Sequence, residues 1–126
     1  MGNQKTRKPG VSNQIETYTL FSSEAIVASA SSTSAAVNLH NRTGVFSIQY
    51  TFTGTGTLKF EYLVSHSGVA GSFVEPSEAV DIASGLSAGS DVVSFKPVLA
   101  PFIQIKATET GGANPVSITS LTLAVQ

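Results

Sequence analysis

The most regular alternation of apolar and polar residues along the chain runs from residue 45 to residue 65. A period of two puts every second side chain on one face of a β-strand, so this segment predicts two strands with one buried face each. Gly54 and Gly56 lie between the two runs, and glycine supplies the positive φ that a tight turn needs. We therefore expect a β-hairpin within one antiparallel sheet, with these residues facing inward: Phe46, Ile48, Tyr50, Phe52, Leu58, Phe60, Tyr62 and Val64.

Shorter runs of β-branched and aromatic residues, separated by Gly, Pro, Ser and Asn, predict further strands along the rest of the chain. No segment carries a helical stripe, and the strands recur at the spacing of a sandwich or barrel. The expected fold is all-β: an antiparallel β-sandwich of jelly-roll or Greek-key type with about eight strands, formed by residues 15–126. An up-and-down barrel is the alternative. The remaining strands are expected at residues 15–21, 24–30, 35–40, 73–76, 79–83, 91–96, 102–108 and 116–125, with loops at 29–34 and 84–90.

Strict alternation also assigns faces in the first and last strands. In the first strand it puts Phe21 on the side of Thr17 and Thr19, opposite Tyr18 and Leu20. In the last strand it groups these residues on one face: Val116, Ile118, Ser120, Thr122 and Ala124.

A length of 126 residues suits a single domain. Charged residues make up 12% of the chain, about half the share of an ordinary soluble domain, and Ser, Thr, Ala, Val and Gly take their place. Two explanations fit this composition. The surface is partly covered by neighbours, since interfaces are depleted in charge, or the polar face of a sheet is lined with hydroxyl groups.

The first fourteen residues carry a charge of +3, whereas the remainder carries −4. Residues 1–14 contain few apolar side chains to bury, so we expect a flexible basic arm that becomes ordered on a partner. The docking residues expected in this arm are Lys5, Arg7, Lys8 and Pro9. Three charges give little electrostatic attraction to a nucleic acid, so a solvated tail or an arm that docks on a protein is favoured.

The chain contains no cysteine, so neither a disulfide framework nor thiolate chemistry is expected. It contains no run of about 18 apolar residues, and we expect no membrane span. The arm has charges but no apolar core of a secretory signal, so we expect the protein to begin in a cytoplasm.

Candidate chemical groups are few. His40 and His66 each lie at the end of a predicted strand with no second ligand at metal-binding spacing, so no metal site is expected there. Carboxylates cluster at Glu75, Glu78 and Asp81, where they could hold calcium or act on a glycoside. The cluster lacks the glycine bend of a calcium loop, and the chain has no Trp for a sugar cleft, so a solvated edge is favoured.

No nucleophile elbow of the G-x-S-x-G type occurs, and no glycine pair precedes a helix to cradle phosphate. We therefore expect no catalytic residues, no cofactor and no enzymatic activity.

The segment from Phe46 to the C-terminus contains F-S-I-Q-Y-T-F-T-G-T-G-T-L-K-F-E-Y-L-V-S, F-V-E-P and S-F-K-P-V-L-A-P-F-I-Q-I-K-A-T-E-T-G-G. In these stretches it resembles the small β-rich virion proteins of tailed bacteriophages. The resemblance implies a structural role in the virion, most of all a capsid decoration (cement) protein assembled in a bacterial cytoplasm. It implies a homo-oligomer that binds the major capsid protein or another virion protein, docking through its terminal arm and sheet edges. It defines no catalytic residue.

Three alternatives stand beside the decoration protein. A tail or head–tail component would share every feature of a decoration protein. A carbohydrate-binding module for host attachment needs exposed aromatic rings, and of Tyr18, Tyr50 and Tyr62 the last two fall on the predicted buried face. A catalytic jelly roll of the cupin type needs clustered histidines, which two isolated ones do not supply.

Overall fold

The computed structural model describes residues 15–40, 42 and 44–126, so the basic arm with Lys5, Arg7, Lys8 and Pro9 lies outside the described residues. Among the described residues no helix is long and apolar enough to cross a bilayer. The strands are β1 (Glu16–Phe21), β2 (Glu24–Ile26), β3 (Ser31–Thr33), β4 (Val37–Asn38), β5 (Phe46–Gly54), β6 (Leu58–Ser65), β7 (Ala83–Leu86), β8 (Gly89–Phe95), β9 (Phe102–Glu109) and β10 (Val116–Val125).

The strands form two antiparallel five-stranded sheets. Sheet I has the order β1-β10-β5-β8, and β2 also pairs with β10. Sheet II has the order β3-β9-β6-β7, and β4 also pairs with β9. Each sheet therefore combines strands from distant parts of the chain, and the order is that of a jelly roll.

The ten strands occupy eight positions in the two sheets, which reconciles them with the eight strands expected. The pair β1 and β2 follows one side of β10, and the pair β3 and β4 follows one side of β9. Each pair is one strand position interrupted by a short irregular segment. The antiparallel jelly-roll sandwich predicted from the sequence is confirmed.

The predicted hairpin at residues 45–65 is wrong, because β5 and β6 belong to different sheets. β5 pairs with β10 and β8, whereas β6 pairs with β9 and β7. The segment between them crosses from one sheet to the other. Gly54 adopts φ 110° there, and a Cβ on it would come within 2.7 Å of the carbonyl oxygen of Pro115. Two strands that face each other across a core alternate just as two strands of a hairpin do, so the pattern alone did not separate them.

Two β-bulges also overturn the faces predicted for the first and last strands. The register shifts between Ile118 and Ser120 in β10, so Leu121, Leu123 and Val125 are buried with Val116 and Ile118. A second shift between Thr19 and Phe21 turns Phe21 towards the core, opposite Leu121. An extra residue in one strand reverses the face of everything that follows it.

Other boundaries differ where small residues gave little signal. The expected loop at 29–34 contains β3, and the expected loop at 84–90 contains most of β7 and the start of β8. The strand expected at 79–83 is irregular up to β7, and that at 73–76 is reduced to one bridge between Val74 and Val64. The strands expected at 24–30 and 35–40 are shorter than predicted.

The core lies between the sheets and is built from the inward rows of β5, β6, β9 and β10. Phe60, Ile105, Ile118 and Leu123 are fully buried, as the alternation predicts for Phe60. The rings of Tyr50 in sheet I and Phe60 in sheet II lie 5.1 Å apart and join the two layers. Burying an aromatic or aliphatic side chain of this size stabilises the fold by about 1.5–3 kcal/mol.

A buried carboxylate closes one end of the sandwich. Glu109, at the end of β9, is 1% exposed and accepts four backbone N–H groups at 2.8–3.0 Å. These hydrogen bonds lower the pKa of Glu109 from 4.5 to about 2, because they stabilise the ionised form. The donors lie in three separate connections: Ser29 after β2, Thr57 between β5 and β6, and Gly111 and Gly112 between β9 and β10.

Candidate interaction surface

The outward positions of sheet I form one continuous surface that we call the hydroxyl face. Strand pairing aligns its residues in rows across the sheet, for example Thr19, Thr122, Gln49 and Val92. The face is composed of Thr17, Ala124, Ser47, Ser94, Thr19, Thr122, Gln49, Val92, Ser120, Thr51, Ser90, Ala25, Ser117 and Thr53.

No member of the hydroxyl face carries a charge. The charged residues within the strands of sheet I lie elsewhere. Asp91 pairs with Tyr50 and so faces the core side, as Glu24 does opposite Ile118. On the face itself the hydroxyl oxygens of Thr51 and Ser90 are hydrogen-bonded at 2.7 Å. A surface with hydroxyl groups and no charge costs less free energy to remove from water than a charged one does, because it loses no ionic solvation.

The outward positions of sheet II form a different surface, the charged face, made of Lys59, Glu61, Leu63, Gln104, Lys106 and Thr108. The Lys59 Nζ lies 3.5 Å from a carboxylate oxygen of Glu61, and Glu61 pairs across the strands with Lys106. Sheet I therefore has the hydroxyl-lined polar face of the second compositional explanation, whereas charged side chains lie on sheet II.

Three carboxylates meet beside the charged face. Oxygens of Glu61, Glu75 and Asp81 all lie within 4.8 Å of one another. The sequence analysis grouped Glu75 and Asp81 with Glu78, whereas the structure brings them to Glu61. A hydrogen bond with Glu61 raises the pKa of Glu75, the negative charge of Glu61 adds to this, and the nearby lysines Lys59 and Lys106 oppose it. The cluster is thus a mixed-charge surface in which lysines balance carboxylates.

The aromatic and imidazole side chains do not assemble into a recognisable site among the described residues. Tyr50 and Tyr62 are buried as predicted, and the Tyr62 hydroxyl accepts a hydrogen bond from the Val98 N–H at 3.0 Å. The Tyr18 hydroxyl donates to Glu16. His40 and His66 do not belong to the carboxylate cluster. A glycan platform of exposed rings is therefore not formed by these tyrosines.

The open edge of the sandwich beside β8 contains a groove of about 660 Å³. It runs between β8 with the segment that follows it and the irregular segment before β7. Its lining is partly apolar, with Phe95, Pro97, Val98, Val80 and Ile82. Glu78 and Asp81 line the same side as Val80, and Lys96 lies on the other. The sequence analysis missed this groove, because the groove depends on which two sheet edges the fold brings together.

A scan against models of protein families finds no match for this chain, and a search of curated proteins finds none either. Among solved structures, the chain is similar to one in infectious bursal disease virus Gt strain, with 12% identity and a TM-score of 0.48. The match covers 97% of this chain and 37% of that one, so the chain spans little more than a third of that protein's length.

A second similar structure comes from Bacillus endospore appendages, described as disulfide-linked pili. It has 13% identity and a TM-score of 0.42, and the match covers 98% of this chain and 97% of that one. At these identities and scores, the assignment of function depends on the residues of the chain itself.

Proposed function

We propose that the protein is a non-enzymatic structural protein of a tailed-bacteriophage virion, a decoration protein that binds the major capsid protein through the hydroxyl face of sheet I. The observation that carries this proposal is the absence of charge on the hydroxyl face, which spans the five strands of sheet I. Protein interfaces are depleted in charge at their centre, and ordinary domain surfaces are not.

Two further features support the proposal. The sequence from Phe46 onwards resembles small virion proteins of tailed phages, as described above. The jelly roll is an architecture used in viral capsids, which adds support by fold-level analogy. The basic arm and the edges of sheet I supply additional contacts with neighbouring subunits of the virion. The protein resides in the assembled virion.

The test uses phage particles prepared without this protein, to which the full chain is added before the particles are sedimented. The matched variants are Gln49→Lys on the hydroxyl face and Gln104→Lys on the charged face, each on a central strand. A buried unpaired charge weakens an interface strongly, so we expect Gln49→Lys to bind at least about tenfold more weakly. Gln104→Lys is expected to bind as the wild-type chain does.

Heads and tails are tested separately. Binding to tails but not heads would overturn the decoration role and assign the protein to the tail. A wild-type chain that binds neither would overturn the virion role. Equal binding by the two variants would overturn the assignment of the hydroxyl face.

A further inference from the structure

Among the described residues, the two outer strands of sheet I each have one partner strand and a free edge, and they run in opposite directions. β1 and β8 end the order β1-β10-β5-β8, in which every neighbouring pair is antiparallel. Glu16 lies opposite Val125, the adjacent Ala124 lies opposite Ser47, and Ser47 lies opposite Ser94. The start of β1 and the end of β8 are therefore at the same end of the sheet, on opposite edges.

This arrangement allows sheet I to continue from one molecule to the next. β1 of a second copy placed beside β8 would run antiparallel to it, as every other pair in the sheet does. Ile15 of that copy would then lie about 4.8 Å, one strand spacing, from the end of β8. Within a single molecule the same two points are three strand spacings apart, about 14 Å.

The groove lies at that end of β8. Its apolar lining includes Phe95, and Val80 is 82% exposed at its side. A chain leaving Ile15 of the second copy towards its N-terminus would start at the mouth of this groove. Fourteen extended residues can span up to about 46–50 Å, so the segment is long enough to fill it.

The charges of the two partners are complementary. Residues 1–14 carry +3, and the rest of the chain carries −4. Glu78 and Asp81 line the groove, and carboxylate oxygens of Glu61 and Glu75 lie within 4.8 Å of Asp81.

We propose that the groove between β8 and the segment before β7 holds residues 1–14 of a second copy, whose β1 extends sheet I at β8. This deepens the proposed function, since it names the partner of the basic arm. The contact joins different surfaces of the two copies, so it is heterologous and generates a ring if the rotation closes.

Two features limit the strand pairing to a short stretch. The bulge between Thr19 and Phe21 interrupts β1, and Asp91 places a carboxylate on the inner side of β8. Bulges and inward-facing charges are the devices by which sheet edges avoid indiscriminate pairing. The arm in the groove then supplies the contacts that a short strand pair lacks.

The test measures the mass of the full chain in solution against concentration, by sedimentation equilibrium. Three full-length variants are compared with the wild type: a groove variant Glu78→Lys/Asp81→Lys, an arm variant Lys5→Glu/Arg7→Glu/Lys8→Glu, and the combination of both. Each single set places like charges together, so we expect self-association to weaken at least about tenfold. The combination is expected to restore it. Thr55→Lys/Ala113→Lys adds two lysines at exposed positions in the loops after β5 and β9, at the other end of the sandwich, and is the control that should associate as the wild type does.

A wild-type chain that stays monomeric at every concentration would overturn the inference, even if it binds phage particles, which would leave the proposed function standing. The inference would also be overturned if the groove variant and the arm variant both associate as the wild type does. It would be overturned as well if the combination of the two sets does not restore self-association. An oligomer that follows the charge pattern but ignores particles would support this inference and contradict the virion role.

Discussion

The hydroxyl face and the charged face cover the same core, yet they meet their surroundings in different ways. On the charged face, Lys59 forms an ion pair with Glu61, and Glu61 lies opposite Lys106 on the neighbouring strand. A chain segment carrying Glu75 and Asp81 lies against this face. The hydroxyl face has no charges, and no segment among residues 15–40, 42 and 44–126 covers it. A sheet needs one apolar face to fold, and its other face is free to be specialised for solvent or for a partner.

The comparison shows how the few charged residues are distributed between the two sheets. A share of 12% charged residues, spread evenly, would leave both faces sparsely charged. Instead the strands of sheet I lack charge on their whole outer side, and sheet II keeps it. This asymmetry is consistent with the interface proposed on the hydroxyl face of sheet I.

The largest expected effect comes from breaking the core that both faces share. Phe60 is 0% exposed and lies on β6 next to Glu61 of the charged face, pointing the other way. Phe60→Ala is expected to cost about 3–5 kcal/mol in free energy of unfolding, measured by urea denaturation. Leu63→Ala, outward on the same strand, should cost less than about 1 kcal/mol. A cost below about 1 kcal/mol for Phe60→Ala would contradict the placement of β6.

The next effect concerns the carboxylate that holds the two sheets together at one end. Glu109→Gln replaces an ion with a neutral amide before four N–H donors, so we expect the Tm at pH 7 to fall by on the order of 10 °C. The folded pKa of about 2 lies below the ordinary 4.5, so the stabilisation by Glu109 is complete above about pH 4.5. It is lost as the pH falls towards 2.

Thermal unfolding between pH 2 and pH 7 measures this, with the exposed Glu78→Gln as control. The wild-type Tm should fall with pH over this window more steeply than that of Glu109→Gln. Parallel curves for the two proteins would contradict the assigned role of Glu109.

A smaller effect sharpens the description of the hydroxyl face. Thr51→Val removes the hydrogen bond to Ser90 and keeps the shape of the side chain, so we expect a loss of about 0.2–1 kcal/mol. Thr53→Val, exposed on the same strand, is the control and should change stability by no more than about 0.5 kcal/mol. Chemical denaturation of both variants measures the difference. Equal values for the two would show that the hydroxyl pair adds nothing.

The smallest effect belongs to the charged face and has the opposite sign to that of Glu109. The pKa of Glu75 is raised by its hydrogen bond with Glu61, so the folded state loses stability as the pH rises above about 4.5. Glu75→Gln should therefore raise the Tm at pH 7 by about 1–2 °C, a gain that disappears near pH 4. Thermal unfolding at both values measures this. A lower Tm at pH 7 would show that Glu75 is stabilising in its ionised form.

The alternation of residues predicted the buried rows correctly for β5 and β6, because each strand has one dry and one wet face. It failed to assign them to sheets, because the same pattern arises whether the two strands pair or face each other. The sequence pattern did not predict the bulges in β1 and β10 for a related reason. A register shift depends on the partner strand, which lies about a hundred residues away in the case of β1 and β10.

The candidate surface was only half predictable. Hydroxyl-rich strands could be recognised in the sequence, and so could the basic arm. That Ser47, Gln49 and Thr122 share one face follows only from the strand order. The groove beside β8 and the meeting of Glu61 with Asp81 depend on long-range packing, which leaves no local pattern.

The position of β10 has a consequence for the synthesis of the chain. β10 follows all other strands in sequence, yet it pairs with β1, β2 and β5 in the middle of sheet I. While residues 116–125 are still inside the ribosome, β1 and β2 have no partner strand in their sheet. Sheet I is therefore completed only after β10 emerges, because β5 and β8 can pair earlier but β1 and β2 cannot. Such late, long-range pairing makes folding slow, and crowding of nascent chains on one messenger favours exchange of strands between neighbours.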